Sequence, residues 1–305
     1  MTNSNTHSLV ISRTANFPET VTFSPFCVIG EGVTLGENVV LGVGCIISDG
    51  VTIGTGTVLG HHVTVDHGVS LGEGCQLGSH VSVGAWAKIG ARTKVGEHTT
   101  IYPQADLGDE GFIGSNSSIG RFPKAAATST VKAHADLPSL KMGNGYTAGC
   151  SVVLYSGTSY GDKVFIGDGA MVRERCIIGK NVVIGSGTAV ENDTKIGEFT
   201  KIQTGCYITA YMEIEDHVFI APMVATTNDN FMGRTEKRFK YIKGAHIGRG
   251  ARVGGASILL PGVHVAPETF VAAGALVTKD TNEKRVMIGF PARDVRPVPD
   301  EELLP

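Results

Sequence analysis

VIGEGVTLGENVVLGVGCIISDGVTIGTGTVLG, residues 28–60, repeats one pattern every six residues. Ile29, Leu35, Leu41, Ile47, Ile53 and Leu59 are its large aliphatic members, and the spacing holds for sixteen consecutive matches, through Val65 and Leu71 to Ile119. Glycine follows the aliphatic residue in thirteen of the sixteen. Four places after each aliphatic residue stands a small or β-branched one, among them Val33, Val39, Cys45, Val51, Thr57 and Val63. The spacings of three and four that a helix needs are absent. A period of six with glycine after the large residue marks a hexapeptide β-helix, each hexad a short strand and a turn. Glycine is expected to supply the backbone freedom of the turn. Three hexads close one triangular coil, so residues 18 apart stack in register.

The pattern resumes in a shifted phase from Ile166 through Val172 and Ile178 to Ile220, and a third time from Ile247 through Val253 to Val277. Two breaks separate these runs. The first, Arg121 to Tyr146, contains HADLPSLKMGNG and reads as a connector. The second, Ala225 to Ala245, reads ATTNDNFMGRTEKRFKYIKGA and ejects a charged, aromatic loop. Long insertions in a repeat fall on one face, often the binding face. The expected fold is all-β: a parallel β-helix of hexapeptide repeats in two stacks, with a loop ejected near 225–245. Residues 1–120 form the N-terminal β-helix, 121–153 the connector, 154–290 the C-terminal β-helix and 291–305 a tail.

Composition narrows the function classes. The formal charge is -3, the pI is about 6.4 and no lysine or arginine run occurs, so the electrostatic footprint of a nucleic-acid binder is missing. No charged leader precedes an apolar stretch and no run of 18 apolar residues occurs, which implies a soluble, cytoplasmic chain with no membrane partner. Five of the six cysteines, Cys27, Cys45, Cys75, Cys176 and Cys206, hold the small inward position of a hexad. They are expected as buried hydrophobes, with neither disulfides nor a metal cluster.

On its hexads the chain resembles the hexapeptide-repeat acyltransferase superfamily, over most of residues 23 to 293. The resemblance, not the periodicity, implies a left-handed coil and a homotrimer. DHVFIAPMVATTNDNFMGR, Asp216 to Arg234, resembles the nucleotide-sugar N-acyltransferases, which carry a Thr-Asn-Asp stretch in a loop leaving the helix. Sugar O-acetyltransferases of the superfamily place a catalytic histidine where Asn228 falls. A hydroxyl nucleophile must lose a proton and needs such a base, whereas a neutral amine is already nucleophilic. Asn228 therefore points to an amine acceptor, a nucleotide-linked amino sugar, with Asn228 and Asp229 orienting it and His217 as the nearest proton acceptor. GASILLPGVHVAPETFVAAGALVTKD (255–280) and GFPAR (289–293) also resemble the superfamily. By that resemblance Gly255, Ala256, Ala273, Lys279, Gly289, Pro291 and Arg293 hold acyl-coenzyme A as co-substrate, the two cations meeting its phosphates.

Two histidine groups compete for the chemistry. VDHGV places Asp66 and His67 after an aliphatic anchor, as in related acyltransferases whose acid-oriented histidine is the base. His62, His80 and His98 are 18 apart and should stack along one edge, as a solvent-exposed ladder or around a ligand. If both stacks share an axis, His67 lies about six coils, on the order of 30 Å, from the ejected loop, too far to serve the same thioester. If they do not, His67 becomes the base of an O-acyltransferase. A gamma-type carbonic anhydrase would need a third zinc histidine about two coils upstream of His62 and His67, where none stands. A non-catalytic scaffold gains nothing from the loop that breaks its coil.

Overall fold

A computed structural model of the chain describes residues 9–127 and 136–305. It is a parallel β-solenoid, consistent with a left-handed β-helix of hexapeptide repeats. The chain divides into two compact units: 1–122 with 138–152, and 123–137 with 153–305. Nearly every strand is two residues long and pairs in parallel with the strand one coil away.

In the first unit face A runs from Val10–Ile11 through Val28–Ile29 and Thr64–Val65 to Ser118–Arg121, face B from Thr34–Leu35 to Lys141–Met142, and face C from Thr22–Phe23 to Thr147–Ala148. The register is the expected one: Ile46 faces Thr64 and Ile47 faces Val65, 18 residues on. In the second unit face A runs from Val153–Tyr155 to Leu276–Val277, face B from Ser159–Tyr160 to His264–Val265, and face C from Phe165–Ile166 to a closing hairpin, Arg285–Gly289 with Ala292–Pro297.

The hexad aliphatics point inward and are buried, as with Ile53, Leu59, Ile184 and Ile202. The small inward residues close the corners. Cys45 Sγ donates to Gly60 O at 3.1 Å, Thr57 Oγ1 to Gly72 O at 2.9 Å and Cys176 Sγ to Glu191 O at 3.2 Å, each 15 residues ahead. Thiol and hydroxyl thus play one role, and burial pushes the Cys45 thiol up to about 11 and the Cys176 thiol up to about 12.

The hexad glycine has a different reason from the expected one. Gly60 and Gly167 lack positive φ; a Cβ built on them would lie 2.6 Å and 2.5 Å from the backbone nitrogens of Ser79 and Ser186 in the next coil. Glycine is there because coils stack closely. The positive φ falls instead on the second turn residue, filled by Gly50 or Gly56 but equally by Asn38, His62 or His217.

The coils also return earlier than the assigned connector allows. Lys141–Met142 and Thr147–Ala148 pair with Asp106–Leu107 and Phe112–Ile113. Met142, Ala148, Leu154 and Tyr160 are buried at six-residue spacing, continuing to Ile166. Ala148 and Tyr160 are not large aliphatics, which hides the phase. Residues 128–135 of the connector lie outside the described residues. The 291–305 tail is folded: after the hairpin, Arg252 Nη1 donates to Glu302 at 2.7 Å and the Leu304 N–H to Glu268 at 3.2 Å. Among the described residues no helix is long and apolar enough to cross a membrane.

Candidate active sites

The two Asp-His pairs fold into similar dyads at different corners. In the first unit Asp66 follows the inward Val65, and its Oδ1 accepts the His67 backbone N–H at 2.7 Å and pairs with His67 Nδ1 at 2.8 Å. These bonds, the backbone one foremost, hold the Asp66 carboxyl below its ordinary value. The dyad stands at the A-to-B corner, beside a slot of about 180 Å³ on face A lined by Ser48, Thr64, Ser82 and Gly84 among others.

In the second unit Asp216 and His217 occupy the B-to-C corner, joined at 2.8 Å between Asp216 Oδ2 and His217 Nδ1. The same carboxylate oxygen takes Arg249 Nε at 3.0 Å. Burial pushes this carboxyl up, but His217 and Arg249 outweigh it and keep it below its ordinary value. The His217 ring stacks on Phe199, 18 residues earlier, with centroids 5.0 Å apart. Nδ1 faces the carboxylate, which leaves Nε2 as the nitrogen turned away from it. The dyad opens on a cavity of about 560 Å³ across face B, lined also by Lys195, Glu198, Glu213 and Glu215. Next to it Glu215 Oε1 meets His246 Nε2 at 2.9 Å, and His246 stacks on His264 at 4.6 Å.

Asn228 and Asp229 lie at the other edge of face B. The loop leaves after Ala225–Thr226 and returns at His246–Ile247, at the A-to-B corner. Asn228 Nδ2 donates to Ala210 O at 3.4 Å, which seats Asn228 on that corner. Six residues separate Tyr211 from His217, so face B puts roughly 15–20 Å between the loop and the dyad at 3.3 Å per residue. Asp229 accepts the Phe231 N–H at 2.7 Å, the Gly233 N–H at 2.9 Å and Arg238 Nη1 at 3.0 Å. Against the effect of burial, these donors hold its carboxyl below the ordinary value. Asp229 thus ties the loop to itself.

The residues assigned to coenzyme A fall into two groups. Lys279 and Arg293 line one cavity of about 380 Å³, with Thr278, Asn282 and Asp294; Arg285 neutralises Asp294 at 2.7 Å. Gly289 and Pro291 form the hairpin turn beside it. Gly255, Ala256 and Ala273 stack on the C-to-A corner, where the Ala256 N–H donates to Pro222 O and the Gly274 N–H to Gly255 O. The Lys279–Arg293 cavity crowns face B: the Thr281 N–H bonds to His264 O, three rungs above Glu213, or about 14 Å at normal strand spacing.

His62, His80 and His98 form an exposed ladder, with ring centroids 5.2 and 4.9 Å apart and planes within 18° and 6°. In-plane nitrogen lone pairs of parallel rings do not converge on one ion. Among the described residues no group of three or more His, Cys, Asp or Glu side chains is placed to hold a metal.

Arg249, Glu215, His246 and Phe199 escape the sequence reading. A usable signal exists for three of them: Phe199/His217 and His246/His264 are 18 apart, and Glu215 replaces the hexad glycine. Arg173 and Glu191 do the same on face A, where Arg173 forks onto buried Glu174 at 2.8 and 3.1 Å.

Comparison with known proteins agrees with the repeat. Residues 161–192 match the family described as bacterial transferase hexapeptide (six repeats), and residues 50–85 match the hexapeptide repeat of succinyl-transferase. The two matches place the transferase hexapeptide repeat on two short stretches of the chain, one in each unit. The Saccharomyces cerevisiae protein YJL218W, to which acetyltransferase activity is ascribed, is 29% identical over 96 residues. That stretch is 30% of this chain, and it spans about half (49%) of the yeast relative. Among solved structures, a histidine-to-alanine variant of GDP-perosamine N-acetyltransferase from Caulobacter crescentus, with coenzyme A and GDP-perosamine, is 23% identical, with TM-score 0.34 over 48% of this chain and 54% of that one. An aspartate-to-asparagine variant of AntD, an N-acyltransferase from Bacillus cereus with dTDP and coenzyme A, is 17% identical, with TM-score 0.37 over 52% and 85%.

Proposed function

We propose that the chain transfers an acyl group from acyl-coenzyme A to the amine of a nucleotide-linked amino sugar, as a homotrimer. The observation that carries this reading is the arrangement of face B in the second unit. A carboxylate-held imidazole opens on a cavity there, and at the end of the same face, where Thr281 lies three rungs above Glu213, a second cavity presents Lys279 and Arg293. The two cations suit the phosphates of the coenzyme, and the rise of about 14 Å from Glu213 to Thr281, together with the width of face B, gives its pantetheine arm a path across the face.

In this reading the neutral amine attacks the thioester carbonyl. The N–C bond forms and the C–S bond breaks. His217 Nε2 accepts the amine proton while Asp216 and Arg249 hold the imidazole in place, and the proton passes on to the departing thiolate. Asn228 and Asp229 shape the loop at the far edge of the face and bear on the acceptor from there. Mass spectrometry of the product checks the class: the sugar nucleotide gains one acyl group in an alkali-stable amide. An alkali-labile ester identifies a hydroxyl acceptor and sinks the amine reading.

A further inference from the structure

The first unit places the chain's one tryptophan at an exposed corner. Trp86 occupies the corner column that holds Gly32, Gly50 and Gly68, and it adopts the same positive φ, 62°. That conformation is strained for a bulky L-residue. Its neighbour makes room for the ring: the indole lies over Gly68, where a Cβ would collide with it. His67 packs against it edge-on, with centroids 5.4 Å apart and planes at 89°. The residue nevertheless remains 58% exposed.

The indole is linked through His67 and Asp66 to a polar slot on face A. Asp66 holds His67 and also lines the face-A slot, whose rim carries the hydroxyls of Ser48, Thr64 and Ser82. Thr64 Oγ1 and Ser82 Oγ lie 3.1 Å apart. Among the described residues no lysine or arginine lines the slot, so its chemistry disfavours a phosphate. An exposed indole, joined through an imidazole and a carboxylate to a hydroxyl pair, suits a ring that is apolar on its face and hydroxylated at its rim.

We infer that this corner is a carbohydrate-binding site, separate from the Asp216–His217 dyad. A pyranose lays its C–H face on Trp86, and its hydroxyls reach Asp66 and the Thr64–Ser82 pair. The site gives the chain a grip on saccharide that does not depend on acyl transfer.

Because Trp86 is the only tryptophan, its emission reports this corner alone. Full-length protein is titrated with glucose, glucosamine, N-acetylglucosamine and maltotriose, with uridine monophosphate as the base-stacking control. Saturation-transfer NMR on the same sugars supplies a readout that survives loss of the indole. The expected result is a saturable emission change with at least one sugar and none with the nucleotide. Asp66→Asn weakens that sugar about fivefold, the worth of one hydrogen bond. Trp86→Ala abolishes saturation transfer while its circular dichroism and melting match the parent. Silence from every sugar in both readouts overturns the site, as does a response to the nucleotide alone. Undiminished saturation transfer in Trp86→Ala overturns it as well.

Discussion

Asp66–His67 and Asp216–His217 share a dipeptide and a 2.8 Å bond but stand one register apart on their hexads. After Val65, the aspartate takes the hexad-glycine place, the histidine the first turn place, and Gly68 the positive-φ corner. After Ile214, Glu215 takes that place, and His217 itself adopts the corner conformation with φ 58°. One residue of slip changes the company each imidazole keeps. His67 turns its edge to an exposed indole on an open corner, its side chain 53% accessible. His217 stacks on Phe199, its aspartate is cross-braced by Arg249, and it is 37% accessible. Position within the repeat, more than the motif, decides whether a histidine stands edge-on to an exposed indole or is stacked on a ring beside an arginine-braced carboxylate.

The largest effect that separates the dyads is on turnover. His217→Ala is expected to lower kcat by about 10²–10⁴, the usual worth of a positioned base. His67→Ala is expected to cost less than about tenfold, since in the proposed reaction no reacting atom meets it. The cores of the two units come next. Leu41→Ala and Ile202→Ala remove buried inward aliphatics and should each destabilise by about 2–5 kcal/mol. In denaturant, Trp86 emission follows only the first unit, so Ile202→Ala should move the circular-dichroism transition more than the emission transition if the units melt separately. Coincident shifts would make them one cooperative body. Arg249→Ala should lower kcat about threefold to tenfold through looser seating of Asp216, with KM for the coenzyme unchanged.

The smallest effect is that of pH on stability. Both aspartates lie below the ordinary 3.8 when folded. Their contribution is therefore complete above 3.8 and is lost as pH falls through the folded value. Acid melts of Asp216→Asn should show a shallower loss below pH 4 than the parent. Asp66→Asn should differ less, because that carboxylate is 52% accessible and solvent screens it.

Much of this is legible in the sequence, for a physical reason. Stacked coils demand inward aliphatics at every sixth position and register at every eighteenth, so the fold, the histidine ladder and the ejected loop can be read directly. Met142, Ala148 and Tyr160 escape that reading because inward volume in their stretch is filled by residues outside the aliphatic set. The glycine rule holds in pattern and differs in cause: Gly60 yields to the next coil's backbone, not to its own turn. Arg249 is hidden because the loop lengthens its distance from Asp216 to 33 residues, outside any simple multiple of the repeat. Asn228 and His217 are eleven residues apart in sequence, yet face B sets them at opposite edges.

The most direct test is thiol release from acetyl-coenzyme A against a panel of UDP- and dTDP-linked amino sugars, run on the parent, His217→Ala and His67→Ala side by side. Amine-dependent release in the parent, lost by about a hundredfold or more in His217→Ala and largely kept in His67→Ala, is the expected result. Loss in His67→Ala with His217→Ala still active would move the chemistry to the first unit. No release with any amino sugar would contradict the account at its centre.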